Sequence, residues 1–354
     1  MSFKKVSERA RVFLQENTHR ESWIWRQKSR ALVFAAGVVG KIYLNVLYRK
    51  QVHGQDNLID AIDQAKREKR GLITVMNHMS VVDDPMTWGI LPLRHLKNPS
   101  TVRWGLAARD VCFSTEKSAS FFSMGQVLPI DRFGAGPFQG AMDAAVHMLS
   151  PAVPYETMDV SGQNETIIPA LDKCDGVADP QWIHVFPEGY VNQMLPPHEN
   201  SMRYFHWGVG RLIAEPSRPP IVVPMFAHGY EKAMSELRSG TSKYLPQNLG
   251  SKIEISIGKP ICQDKINSYR QEWVKLVHND PNEDTKTFDE ISERLRSGSE
   301  ACQLRARIAA ELREALAELR TNLGFRPEDP RLKDPVFWHE AKPDCGIGLI
   351  GKKW

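Results

Sequence analysis

The sequence predicts an α/β fold: a single main domain in which one mixed sheet is flanked by helices. Three observations predict it. Short, almost continuous apolar runs at 71–76, 182–186 and 221–226 read as strands covered on both faces, with 253–257 as a fourth strand. Segments of helical period fall between these runs, and alternating strands and helices pack as a covered sheet. With 354 residues, 42% of them hydrophobic, the chain can build one large core with appendages.

The N-terminus is basic, with Lys4, Lys5, Arg9, Arg11, Arg20, Arg26, Lys28 and Arg30 against Glu8, Glu16 and Glu21. A transit peptide is poorer in acids, and a secretory signal would place its apolar run earlier. The apolar run from Ala31 to Leu47 is interrupted by Lys41 and Asn45. Its unbroken part, 31–40, is too short to span a hydrocarbon layer of about 30 Å. Trp23, Trp25, Tyr43 and Tyr48 flank it, as suits an interface. Residues 1–48 therefore read as a basic segment and a monotopic or re-entrant membrane helix; a plain buried helix and a full span are the alternatives.

In the main domain, residues 49–325, a helix is expected over 84–91 with Ser80 or Asp83 near its N-cap. Others are expected over 137–149, where Pro137 takes an early position, and over 204–214. Residues 150–181 are polar, with prolines and glycine, and read as a surface insertion with no catalytic part. From 299 to 323, Leu304, Ile308, Leu312, Leu316, Leu319 and Leu323 recur at steps of three and four, an amphipathic helix that Gly324 ends. Packing onto the main domain accounts for this stripe better than a coiled coil. The tail, 326–354, has prolines at 327, 330, 335 and 343, and is expected to wrap the surface or to be mobile.

The net charge of +4 suits anionic lipid or nucleic acid equally. No zinc-finger spacing, RNA-binding signature or dense Lys/Arg block is present, so a nucleic-acid partner is not expected. Cys112, Cys174, Cys262, Cys302 and Cys345 are scattered and odd in number, which argues against a disulfide framework.

The chemistry concentrates in Asn77-His78-Met79-Ser80-Val81-Val82-Asp83-Asp84-Pro85, directly after the first strand. An imidazole oriented by a carboxylate is a general base for a hydroxyl, and H-x-x-x-x-D lets Asp83 reach His78. No serine or cysteine motif beside it supplies a nucleophile. The pattern favours direct attack by a substrate hydroxyl on an ester or thioester. His78, Asp83 and Asp84 are also metal-ligand types, but no further His or Cys pair at ligand spacing supports a metal site, and neither metal nor cofactor is expected. Arg132 ends an apolar stretch and offers a planar fork for a phosphodiester; a surface ion pair is the alternative. Glu188 is a candidate to bind a glycerol hydroxyl or to orient Arg132. Gly189 suits close backbone approach or a positive φ. Backbone N–H groups near the Asp83 helix start are candidates for oxyanion stabilisation. His53, His147, His184, His206 and His228 read as structural.

In chain order, 77–85, 125–132, 186–189 and 221–225 resemble the four motif blocks of the glycerolipid (1-acylglycerol-3-phosphate) acyltransferase superfamily. Within it, N-H-x-S-x-x-D-D-P, F-P-E-G-x-V-N and the W-G-x-G-R-L-I-A-E run at 207–215 look like the tafazzin family. The likeness covers residues 45–260, with a weaker extension to 325. It implies an acyltransferase domain with His78 as base, Asp83 as its partner, Arg132 as phosphate or head-group ligand, and Glu188, Gly189, Asn77 and Ser80 as substrate-binding residues. It also implies a transacylase that moves acyl chains between phospholipids and lysophospholipids and remodels cardiolipin without free coenzyme A. Such an enzyme would be peripheral or monotopic on mitochondrial membranes, face the intermembrane space, and associate with other mitochondrial membrane proteins. Tyr190 departs from the pattern, which has Lys in tafazzins and Thr or Ser in the wider superfamily. A coenzyme-A-dependent lysophospholipid acyltransferase shares the same base and groove; a non-catalytic membrane-binding protein has no chemical reason to keep both His78 and Asp83.

Overall fold

A computed structural model describes residues 3–132, 136–150, 155–158, 164–167, 179–194, 196–236, 245–282, 290–340 and 349–350. Its centre is a seven-stranded mixed sheet. The strands are β1 (Arg49–His53), β2 (Leu72–Met76), β3 (Trp104–Ala108), β4 (Val127–Ile130), β5 (Trp182–Val185), β6 (Ile221–His228) and β7 (Lys252–Ile257), in the order β1-β7-β6-β2-β5-β3-β4. The run from β6 through β2, β5 and β3 to β4 is parallel, and β7 is antiparallel to β6. The carboxyl ends of five strands therefore share one edge, where open α/β sheets bind ligands.

The inner strands alternate their side chains between two covered faces. Ile73, Val75, Ile183, Val185 and Val222 join one core with α1 (Phe3–Asn17), α6 (Gly140–Leu149), α7 (Gly208–Ala214), α8 (Gln263–His278) and α9 (Ser299–Asn322). Leu72, Met76, Trp182, Val223 and Ile253 join the other with α2 (Trp23–Ile42), α3 (Gln55–Glu68) and α4 (Asp83–Thr87) with the 3₁₀ turn after it, Trp88–Ile90. The helix α5 (Glu116–Met124) packs against α2 and β4. The amphipathic stripe of α9 lies on the main domain, and Gly324 ends that helix at φ +87°. Val6, Ala10, Phe13 and Leu14 of α1 are core residues, so packing continues across position 48.

Three strands escape the sequence pattern. β1 is an exposed edge built of Arg49, Lys50 and Gln51. β3 has glycine or alanine at three of its five positions, Gly105, Ala107 and Ala108, which breaks up the apolar run. β4 carries Pro129, tolerated because β4 is the opposite edge, where a missing N–H breaks no outer ladder. Helix bounds also move. The expected 84–91 helix is α4 from Asp83 plus the 3₁₀ turn, and neither Ser80 nor Asp83 is its N-cap: Val82 is, with no side-chain cap. The helix expected from Pro137 starts at Gly140. The one expected from Tyr204 starts at Gly208, and the stretch before it is tied instead to the 186–189 turn: Arg203 and His206 give their N–H groups to Glu188 and to the Pro187 carbonyl.

The helix is longer than the apolar run read from the sequence. The α2 helix and the π turn Tyr43–Leu47 form a continuous 25-residue helix that contains an 18-residue window of mean hydropathy 1.5, long and apolar enough by length and composition to cross a membrane. Its two polar interruptions are absorbed: Lys41 Nζ donates to the Gly89 carbonyl at 3.0 Å and Asn45 Nδ2 to the Lys41 carbonyl at 2.6 Å. Trp25, Ser29, Val33, Gly37 and Gly40 pack inward, while Trp23, Ile24, Val39, Ile42 and Val46 are exposed. A helix fixed along the domain on one face and apolar on the other is a candidate for membrane association.

In the span read as an insertion, Tyr155–Met158 and Asn164–Ile167 pair as an antiparallel hairpin where the sequence suggested loop; 151–154, 159–163 and 168–178 lie outside the described residues. Of the tail, Leu332, Phe337 and Trp338 pack about Met194, and 349–350 pairs with Gln193–Met194; 341–348 and 351–354 lie outside the described residues. So do Cys174 and Cys345; Cys112, Cys262 and Cys302 are free thiols.

A buried ion quartet ties the layers of the first core. Arg211 Nη2 donates to Asp143 Oδ1 at 2.6 Å and to Glu215 Oε2 at 2.6 Å, and Arg9 Nε of α1 reaches Asp143 Oδ2 at 2.6 Å. Arg211 Nη1 also holds the Pro137 carbonyl at 2.7 Å. The arginine and glutamate of the W-G-x-G-R-L-I-A-E run are thus one buried pair, Arg211 on α7 and Glu215 at its C-cap.

Candidate active site

The site forms where β2 and β5 end. Beyond Met76, Asn77 clamps β6 by both ends of its amide: Nδ2 donates to the Ala227 carbonyl at 2.9 Å and Oδ1 accepts the Ala227 N–H at 2.8 Å. His78 follows, and the chain turns back so that Asp83 Oδ1 and Oδ2 both lie 3.1 Å from His78 Nδ1. Asp83 is buried, and its carboxylate accepts N–H groups from Met79 at 2.8 Å, Ser80 at 3.0 Å and Asp84 at 2.8 Å. This fixes Nδ1–H toward Asp83 and makes Nε2 the acceptor of the ring. Nε2 has no hydrogen-bond partner among the described residues, and the side chain is 21% exposed. Phe186 stacks on the imidazole at 4.1 Å and 15°. Burial pushes the His78 imidazole down, but the carboxylates of Asp83, Glu188 and Asp84 together outweigh it and hold the ring above its ordinary value.

Glu188 braces this loop from β5. It is buried, and its oxygens accept the His78 N–H at 2.9 Å, the Arg203 N–H at 3.0 Å and Asn192 Nδ2 at 2.9 Å. Burial pushes its carboxyl up, opposed by those three donors. Gly189 has φ +74°, and a Cβ there would stand 3.0 Å from His206, so the positive φ read from the sequence is present. Asn192 N–H donates to the His78 carbonyl at 2.7 Å and Gln193 Nε2 to the Met79 carbonyl at 2.6 Å, stitching the two loops together.

Several expectations change. Asn77 and Ser80 are buried fasteners: Ser80 Oγ donates to the Met234 carbonyl at 3.3 Å, and Asn77 is committed to Ala227, so neither is presented to a ligand. The N–H groups of Met79, Ser80 and Asp84 are taken by Asp83, and that of Val82 by Ser80 Oγ, which removes them as oxyanion donors. Asp84 is bound to Arg103 at 2.8 and 2.5 Å and to Trp88 Nε1 at 3.1 Å, so its carboxylate is committed to those two side chains. Glu188 does not orient Arg132. That guanidinium pairs with Asp110 at 2.7 Å, beyond the end of β4, on the same sheet edge as His78 but three strand spacings along it, roughly 14 Å. His184 bonds Thr74 through Nδ1 at 2.8 Å, and burial drives it down to about 3; it is a neutral structural ring beneath Phe186. His53 and His228 both bond Glu254, as structural residues would.

Asn192, Gln193, Arg203 and Arg103 went unread in the sequence. The final asparagine of F-P-E-G-x-V-N was the one available signal, being part of the motif.

Residues 49–227 match the acyltransferase family, a span running from β1 into β6 that holds His78, Asp83, Arg132, Glu188 and Arg203. The whole chain aligns with 95% of a tafazzin of Saccharomyces cerevisiae at 43% identity. A tafazzin of Dictyostelium discoideum is 32% identical over 68% of this chain and 72% of its own length. An N-acylphosphatidylethanolamine synthase of Arabidopsis thaliana is 30% identical over 65% of this chain and 69% of its own.

Proposed function

We propose that this chain, which belongs to the tafazzin family of acyltransferases, moves acyl chains between phospholipids and lysophospholipids without coenzyme A. The acceptor is monolysocardiolipin, the donor phosphatidylcholine or a similar phospholipid, and the setting a mitochondrial membrane surface facing the intermembrane space, where association with other membrane proteins is expected. The observation that carries the reading is the imidazole of His78, held at Nδ1 by a buried carboxylate and open at Nε2.

The acceptor hydroxyl gives its proton to Nε2 as its oxygen attacks the donor's ester carbonyl. Asp83 stabilises the resulting imidazolium. The tetrahedral intermediate collapses as Nε2 returns the proton to the departing glycerol oxygen, leaving a new ester and a new lysolipid. One ester replaces another, so the reaction runs both ways. No covalent enzyme intermediate is needed; of the thiols near the sheet edge, Cys112 is a poor nucleophile because burial pushes it up. Arg132, drawn from Asp110, supplies a fork for the phosphate, and Gly189 lets backbone approach the lipid closely.

The test is acyl transfer from labelled phosphatidylcholine to monolysocardiolipin in vesicles with no thioester present, read by mass spectrometry. Labelled cardiolipin with matching lysophosphatidylcholine is expected. Strict dependence on added acyl-coenzyme A would make the enzyme a lysophospholipid acyltransferase instead. Label on the amine of phosphatidylethanolamine would align it with its plant relative.

A further inference from the structure

We propose that Arg203, with Tyr190, Tyr204 and Trp338 around it, binds a second phosphodiester of a two-phosphate phospholipid whose reacting end lies at His78. The inference rests on the reading above and names a site for the far half of such a lipid.

Position comes first. The Arg203 N–H and the His78 N–H are donated to the two oxygens of one carboxylate, Glu188, so a single side chain separates the two backbones. A group on Arg203 is therefore held in register with the dyad. The guanidinium lies over Trp338 at 4.5 Å, Tyr190 at 4.8 Å and Tyr204 at 5.3 Å from the ring centroids. Its Nε is buried without a hydrogen-bond partner, and no carboxylate pairs with it among the described residues. Neighbouring arginines differ: Arg313 is paired with Glu328, and Arg211 with Asp143 and Glu215. Third, the frame is built. Trp338 is fixed by Nε1 to the Leu332 carbonyl at 2.7 Å, and Glu328 accepts the Met202 N–H at 2.6 Å beside Arg203.

Aromatic faces hold a guanidinium in place while its edge stays available. Tyr204 takes one hydrogen bond of the guanidinium, and the remaining N–H groups of this partly exposed planar fork match the two free oxygens of a phosphodiester. A quaternary ammonium head group also favours aromatic faces, but here a cation already occupies them and would repel it. All four side chains are partly exposed, next to exposed Gly189, so a head group can reach them.

The experiment uses the full chain in mixed micelles, with phosphatidylcholine as donor and two acceptors: monolysocardiolipin, with two phosphates, and lysophosphatidylglycerol, with one. The readout is the ratio of kcat/KM for the first over the second. Arg203→Gln should lower that ratio roughly ten- to hundredfold, the worth of one charge-assisted contact. Arg203→Lys, which keeps charge without the fork, should recover part of it. Thermal unfolding of each variant shows that the fold persists, and Trp338→Leu should lower the ratio in the same direction. An equal loss with both acceptors would make Arg203 a structural residue and overturn the inference while leaving the transacylase reading intact. A wild-type chain that transfers to neither acceptor without a thioester overturns the transacylase reading, and this inference with it.

Discussion

Replacing Glu188 with glutamine keeps the shape of a buried side chain and removes half of its accepting capacity. The carboxylate accepts the N–H groups of His78 and Arg203 and the amide of Asn192. A glutamine has one acceptor oxygen and one NH₂. With the oxygen turned toward Arg203 and Asn192, the NH₂ meets the His78 N–H, and one buried donor loses its acceptor at about 1–3 kcal/mol. The other two bonds fall from charge-assisted to neutral strength, but burial holds this carboxyl above its ordinary value, so the neutral amide recovers a desolvation penalty that offsets this loss. The net cost is about 1–3 kcal/mol, a sizeable part of a stability that is ordinarily about 5–15 kcal/mol. Urea unfolding in detergent should show the midpoint falling with the slope unchanged. Transfer at concentrations of urea far below the midpoint should also slow, because the displaced N–H belongs to the residue carrying the base. A variant within about 0.5 kcal/mol of wild type, turning over at the wild-type rate, would refute the idea that Glu188 braces His78.

His78→Ala should slow transfer by about 10²–10⁴ with the circular dichroism spectrum kept, and full turnover would remove His78 as base. Asp83→Asn should be nearly as damaging, since an amide can hold the ring in the wrong tautomer. Because the His78 imidazole is held above its ordinary value, its neutral form is populated only at higher pH: kcat/KM should rise with pH through that raised value, and an acid limb below the ordinary histidine range would contradict it. Asp83→Asn removes the largest upward influence on that ring, so the limb should move to lower pH as the rate falls. Val39→Asp with Val46→Asp, both on the exposed apolar face of the N-terminal helix, should release the protein from anionic vesicles in a sedimentation assay. The wild type should stay bound through a salt wash, and release by salt would mean attachment by surface charge alone.

What could be read from the sequence was local. His78 and Asp83 stand in one turn directly after a strand, so their spacing was enough to pair them, and Gly189 announced its φ by its identity. The covered strands β2, β5 and β6 showed themselves because both faces are apolar. The edge strands did not: β1 is mostly polar and exposed, and β4 contains a proline. Residues whose partners lie far along the chain were the hardest. Arg203 acquires its meaning from Glu188 on one side and from Trp338, over a hundred residues on, at the other, and no periodicity records either contact. Asn77 and Ser80 misled in the opposite way, because membership in the motif reflects the support that the loop requires as well as the ligand that it meets. The N-terminal helix outran its apolar stretch because Lys41 and Asn45 each found a carbonyl.

The ion quartet of Arg9, Asp143, Arg211 and Glu215 sums to zero charge, and its members come from α1, α6, α7 and the C-cap of α7. Loss of any one leaves a buried charge uncompensated, at about 3–5 kcal/mol. These four positions are therefore not free to drift one at a time. A descendant that gives up Arg9 must first, or at once, lose an acid elsewhere in the set, and the order of steps matters because every single-step intermediate lies near the stability threshold. Over evolutionary time this part of the protein should change in paired jumps, and an N-terminus that looks like a dispensable basic leader is held in the lineage by a carboxylate more than a hundred residues away.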